Sequence, residues 1–191
     1  LTAVNAAGVR QGHHRCDKEA TMTITHTDPL VTREGVRLYV RPAHGDDEAA
    51  LATFFSRVTP EDLRFRFLTG VREVGHDRLV AMANANDDRT ESLVALDGKG
   101  DVIATAMLVG DETGERAEAA IVVRGDRKGQ GIGWTLLDYL LCHARRRGYA
   151  AVESIEDRAN HDAIELECQM GFEVLPIPGE TALVRIRRAL R

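Results

Sequence analysis

Three glycines at the seam between a strand-like run and a helical stripe constrain this 191-residue chain more than any other feature. Lys128-Gly129-Gln130-Gly131-Ile132-Gly133 follows the apolar run 117–123. It leads straight into Ile132, Leu136, Leu140 and Ala144, which share one helical face. A helix start carries backbone N–H groups without internal partners, and the helix dipole adds positive potential there. Glycines remove the Cβ atoms that would hold an anion away from those donors. Lys128, Arg127 and Arg124 add positive charge nearby. The loop therefore predicts a diphosphate site.

Context narrows the ligand. No GxxxxGK[ST] string occurs, and a dinucleotide loop would need to sit in a parallel βαβ unit. Here the runs 92–96, 102–109 and 117–123 are separated by Asp97-Gly98-Lys99-Gly100 and Asp111-Glu112-Thr113-Gly114-Glu115. Both gaps have hairpin chemistry, so an antiparallel meander is expected before the loop. Upstream, 36–40 alternates as a strand and stops at Pro42. Gly45-Asp46-Asp47-Glu48 opens one helix, Thr59-Pro60-Glu61-Asp62 caps a second, and 77–85 reads as a third. Downstream, Arg145-Arg146-Arg147 suit the negative end of the post-loop helix, and Gly148 closes it. A strand at 150–155, a helix at 160–170 and strands near 172–174 and 181–186 complete the pattern.

Hydrophobic residues make up 43% of the chain and charged residues 29%, with a net charge of -5. That balance argues against an extended nucleic-acid footprint. The apolar runs fall below the roughly 18 residues needed to cross a bilayer, so no membrane association is expected and the chain reads as cytoplasmic. Residues 1–34 lack a sustained period and read as a flexible leader, with the folded domain at 35–191. His13-His14 has no partner ligands, so no metal is expected. Cys16, Cys142 and Cys168 follow no ligand spacing and read as reduced, mostly buried thiols.

The order strand, helices, meander, glycine loop, helix, strand, helix, strand pair resembles the GNAT superfamily of acyl-CoA-dependent N-acetyltransferases. Its loop signature is Gln or Arg, then x-x-Gly-x, then Gly or Ala. Lys128 to Gly133 matches it with Lys in first place, which keeps the charge and loses arginine's fork. Val123 stands at the usual valine. Asn160-His161-Asp162-Ala163-Ile164, with Met170-Gly171-Phe172 beyond it, is similar to the family's second motif. The resemblance covers about residues 36 to 187. It implies a single α/β (α+β) domain, a mixed and mostly antiparallel central sheet with helices on both faces. Within the superfamily, Thr59-Pro60-Glu61-Asp62-Leu63-Arg64-Phe65-Arg66-Phe67, Leu93-Val94-Ala95-Leu96 and Gly114-Glu115-Arg116-Ala117-Glu118 most resemble the GNAT domain of bacterial Pat-type protein lysine acetyltransferases.

The resemblance implies acetyl-CoA as cosubstrate, no metal, and transfer of acetyl to the ε-amine of protein lysines by direct attack. Residues 128–133 would hold the diphosphate. Main-chain groups of Ile121, Val122 and Val123 would bond the pantetheine arm and thioester carbonyl, and Asn160 would bond the arm, although helix capping explains an Asn there equally well. A lysine amine titrates near ~10.4 and needs a base; Glu118 is the candidate, with Glu156 and Asp157 in reserve. A straight strand spans ~13 Å from Glu118 to Val122, so a water relay or a bulge is needed. Many members place a thiolate-protonating tyrosine where this chain has Glu167, a poor acid unless its pKa is raised; Tyr139 and Tyr149 read as packing residues. A small-amine acetyltransferase, with its acceptor pocket built from 53–85, and a non-catalytic acyl-CoA-binding regulatory module are the alternatives. Pat-type relatives also imply association with a regulatory domain or subunit.

Overall fold

The computed structural model describes residues 28–190. Eight strands form one sheet: β1 (Leu30–Val31), β2 (Arg37–Pro42), β3 (Thr90–Leu96), β4 (Val102–Gly110), β5 (Arg116–Val123), β6 (Ala151–Asp157), β7 (Glu173–Pro176) and β8 (Leu183–Ala189). Their spatial order is β1-β2-β3-β4-β5-β6-β8-β7. Every neighbouring pair is antiparallel except β5 and β6. The helices are α1 (Glu48–Phe55), α2 (Pro60–Phe67), α3 (His76–Ala83), α4 (Ile132–Arg146) and α5 (His161–Gln169).

Two apolar layers sandwich the sheet. On one face Leu51, Phe54, Phe55, Leu63, Leu79 and Met82 of α1–α3 pack on Val94, Val102 and Val122. On the other, Ile132, Leu136, Leu140 and Leu141 of α4 and Ile164 and Leu166 of α5 meet Ala117, Ala119, Ile121, Val123 and Val152. Alternation along β5 therefore sends Ala117, Ala119, Ile121 and Val123 toward α4 and α5, and Glu118, Ala120 and Val122 toward α1–α3.

The meander forms as expected, and its turns carry the reason. Asp97 Oδ1 accepts from the Lys99 N–H at 2.9 Å, and Asp111 Oδ1 accepts from the Glu115 N–H at 3.0 Å. Thr59 caps α2, accepting from the Asp62 N–H at 3.1 Å, with Pro60 at the first helical position. Tyr139 and Tyr149 are buried packing residues.

Three expectations change. Gly45–Asp47 is a 3-10 turn, and the α-helix begins only at Glu48, because Asp47 turns inward to clamp Arg41 at 2.6 Å. Residues 30–34 belong to the folded unit: β1 pairs with β2, Leu30 is buried, and Thr32 closes the turn by accepting from the Val36 N–H at 3.1 Å. Cys168 is exposed rather than buried. His13, His14 and Cys16 lie outside the described residues.

Candidate active site

The sheet splits between two interior strands. β5 and β6 pair only at Arg116–Ala151, Ala117–Val152 and Glu118–Glu153, after which the two strands part. β5 stays paired to β4 as far as Val123, and β6 to β8 as far as Asp157. The main chain of 119–123 on its β6 side therefore has no strand partner, and unpaired N–H and C=O groups there call for another occupant. A cavity of about 330 Å³ fills the gap.

Its walls gather most of the residues singled out in the sequence. Glu118, Ile121, Val122, Val123, Lys128, Gly129, Gly131, Ile132, Gly133 and Asn160 all line it, and so do the reserve candidate Glu156 and Glu167. Gln130 does not; its side chain turns back to the Asp126 carbonyl at 3.4 Å. Arg124 is also displaced. It is buried away from the cleft and grips Asp126 at 2.6 and 3.1 Å.

The glycine loop has the geometry a diphosphate needs. Gly129 and Gly131 have φ of 70° and 72°, in the left-handed region where a Cβ is disfavoured. Gly131 is the N-cap of the 15-residue α4, so the free N–H groups of its first turn open onto the cleft. A side chain at Gly131 would also run into the Glu34 carboxylate and lie 3.2 Å from Thr32 Cβ. The loop's cations are tied down: Arg127 bonds Asp97 at 3.0 Å, and Lys128 bonds Asp62 at 2.5 Å. Asp62 also accepts from the Thr59 hydroxyl at 2.6 Å, so the start of α2 is fastened to the loop.

On the α1–α3 face, α2 supplies Phe65 and Arg66 to the wall, with Leu68 just beyond its end. Glu118 stands there, exposed, at the last rung that pairs β5 with β6. Burial lowers the pKa of the Arg66 guanidinium, partly offset by the charges of Glu118 and Glu156. Its Nη2 meets Met107 Sδ at 3.1 Å, and its buried Nε has no partner among the described residues.

On the opposite face a second set of carboxylates meets the cleft. Asn160 makes no capping bond to α5; its Nδ2 donates instead to Glu156 Oε2 at 2.7 Å. Burial, reinforced by the charge of Glu167, pushes the Glu156 carboxyl up to about 8. Burial likewise pushes Glu167 up to about 7, against the hydrogen bond that Ser154 Oγ donates to its Oε1 at 2.6 Å. Asp157, the other reserve candidate, does not line the cleft; it is paired with Arg64 of α2 and held below the ordinary carboxylate range, first by the Ala159 N–H and then by Arg64. Sequence reasoning passed over Arg66 and Trp134 as cleft residues and Ser154 as the partner of Glu167. The alternation of Arg and Phe in α2 was visible, but nothing in it said which side chains would face β5.

A strand gap beside a glycine-capped helix defines a fold built to hold an extended diphosphate-bearing ligand, and comparison with known proteins identifies it. The model of the acetyltransferase (GNAT) family matches residues 57–172, and the chain belongs to that family. It is similar to an acetyltransferase of Pseudomonas aeruginosa, 26% identical over 160 residues that cover 82% of this chain and 86% of that one. Among solved structures, the GNAT domain of S. lividans PAT superposes with a TM-score of 0.76 at 24% identity, covering 84% of this chain and 95% of that chain. Spermidine N-acetyltransferase from Vibrio cholerae, in complex with CoA and spermine, superposes with a TM-score of 0.64 at 18% identity, covering 80% and 95%. As a member of that family the protein is an acetyl-CoA-dependent N-acetyltransferase. Among the described residues no helix is long and apolar enough to cross a membrane, and no group of three or more His, Cys, Asp or Glu could hold a metal ion.

Proposed function

We propose that this enzyme acetylates the ε-amine of protein lysines, with Glu118 as general base. The observation that carries the reading is the position of Glu118, an exposed carboxylate at the rung where β5 and β6 part, on the α2 side of the cleft. Exposure lets a side chain presented on another protein's surface reach it, and Leu68, an exposed apolar residue at the rim, offers that surface a contact. The resemblance of the segment Thr59 to Phe67 to Pat-type protein lysine acetyltransferases is in keeping with this acceptor.

When bound, acetyl-CoA supplies the activated acyl group. The N–H groups of the loop 128–133 hold its diphosphate, and the open main chain of Ile121, Val122 and Val123 aligns its arm and polarises the carbonyl. Glu118 takes the amine proton through water, because roughly 13 Å of strand separates it from Val122. Asn160 fixes Glu156 at the far wall and lies within the same cleft. A regulatory domain or subunit completes the proposal.

A second reading has its own support. Glu118 and Asp162 put carboxylates on the cleft, which suits a small polyamine, and spermidine N-acetyltransferase shares the fold. Parallel assays with lysine-bearing peptides and with spermidine separate the two. Higher kcat/KM on peptides is expected; turnover confined to spermidine refutes the protein-lysine reading. Glu118→Ala is expected to lower turnover ~100-fold or more with coenzyme affinity retained. Unchanged turnover removes Glu118 from the mechanism.

A further inference from the structure

Arg66 is a cation on the cleft wall with no anion of its own. It comes from α2, and its Nη2 rests 3.1 Å from the sulfur of Met107, the register partner of Ala120 across β4 and β5. Ala120 faces the same side as Glu118 and Val122 and stands between them. The guanidinium therefore lies over the stretch of strand that an acceptor must occupy between the base and the thioester, ~7 Å from either end. Its donors are poorly used. A thioether is a weak acceptor, Nε is buried without a partner, and Nη1 bonds nothing among the described residues yet is not shut in by protein.

The surrounding charges do not cancel it. Glu118 and Glu156 act on Arg66 through space, but no carboxylate among the described residues comes within ion-pair distance of it. Glu156 stands on the opposite face of β6, and its carboxyl, pushed up to about 8, is mostly neutral at neutral pH. Arg78 of α3 adds a second cation: the two guanidinium carbons lie 5.2 and 4.6 Å from the Phe67 ring centroid. Of the other charged groups nearby, Arg64 is paired with Asp157 and Lys128 with Asp62, while Asp162 belongs to α5, across the gap. A half-buried guanidinium with idle donors is stabilised when a ligand brings it an anion.

We propose that Arg66 binds a carboxylate carried by the acceptor, so that the preferred amine is one with an acid group close beside it. The amine turns to Glu118 and the carboxylate to Arg66. Nη1 donates the first hydrogen bond, and Nη2 can exchange its sulfur contact for a second. The inference rests on the acetyl-transfer reading and narrows its acceptor to a lysine with Asp or Glu as its neighbour in the peptide. A small amino acid brings the same chemistry with its own carboxylate. Spermidine carries only positive charge and is repelled by Arg66.

The test compares acceptors in pairs that differ only in the acid. One pair is a peptide with Asp beside its lysine and the same peptide with Asn there; the other is free lysine and lysine amide. The ratio of kcat/KM within each pair is measured for the wild type, Arg66→Gln and Arg66→Lys, with calorimetric CoA affinity as the check on an intact coenzyme site. The wild type should favour the acidic member of at least one pair by ~10-fold or more, and the pair that shows it identifies the source of the carboxylate. Arg66→Gln should bring that ratio within twofold of one, acting through KM. Arg66→Lys, which keeps the charge without the fork, should retain part of it. Wild-type ratios within twofold of one in both pairs overturn the inference, whatever the variants do. A preference that survives in Arg66→Gln while all acceptors slow alike also overturns it, and leaves Arg66 as an electrostatic support for Glu118. A preference within the lysine pair, with neither peptide acetylated, supports the carboxylate site and overturns the protein-lysine reading. A wild type that acetylates no member of either pair overturns both.

Discussion

Replacing Gly131 by alanine probes the loop on two independent readouts. At φ 72° an L-residue pays roughly 1–2 kcal/mol, and here the new Cβ also meets the Glu34 carboxylate and lies 3.2 Å from Thr32. At about 2–4 °C per kcal/mol for a domain of this size, the melting temperature should fall by about 2–8 °C. The strain relaxes by turning the loop, which re-aims the N–H groups of Ile132 and Gly133. Losing one charge-assisted hydrogen bond to a diphosphate costs ~1.5–3 kcal/mol, or ~10–150-fold in affinity. Calorimetric titration with CoA reads the affinity and thermal denaturation reads the stability. The double variant Gly131→Ala/Glu34→Ala removes the overlap but not the φ strain, so it should regain part of the stability and little affinity. A lowered melting temperature with CoA affinity within twofold of wild type would refute the loop as the diphosphate site.

Three further outcomes are expected. Asp62→Asn frees the Lys128 ammonium from its 2.5 Å partner, so CoA should bind several-fold tighter at low salt, with the gain fading as salt screens it. Arg41→Ala strands the buried Asp47 carboxylate; since Arg41 is itself partly exposed, about 2 kcal/mol should be lost, read as a fall of ~4–8 °C. Glu156 and Glu167 both have folded pKa values above the ordinary carboxylate value near 4.5, so the folded state holds their protons longer than the unfolded chain. Their stabilising contribution is full below pH 4.5 and lost as pH rises through about 7 and 8. Between pH 5.5 and 8.5 the wild type should lose more thermal stability than Glu156→Gln/Glu167→Gln; parallel losses would contradict the assignment.

Much of the framework was legible because it rests on local chemistry. The Asp-Gly turns, the Thr59-Pro60 cap and the glycines before α4 each leave a signal within a few residues. β1 was not legible: two residues carry no period, and its stability comes from pairing with β2 and burying Leu30. The charges around the loop misled for a similar reason. Lys128 lies 66 residues from Asp62 and Arg127 lies 30 from Asp97, so no local pattern announces that these cations are already partnered. Likewise Asn160 looked equally fit to cap a helix, and only the approach of β6 to α5 gives its amide to Glu156. Burial raises both glutamates, and burial of this kind comes from packing that no local pattern announces.

A crystal structure with bound CoA bears most directly on the split between β5 and β6 as the reaction site. The diphosphate should lie on the first-turn N–H groups of α4 and the pantetheine arm along Ile121 to Val123, with Glu118 across the sheet. A coenzyme seated away from that gap would contradict the site and the roles assigned in it.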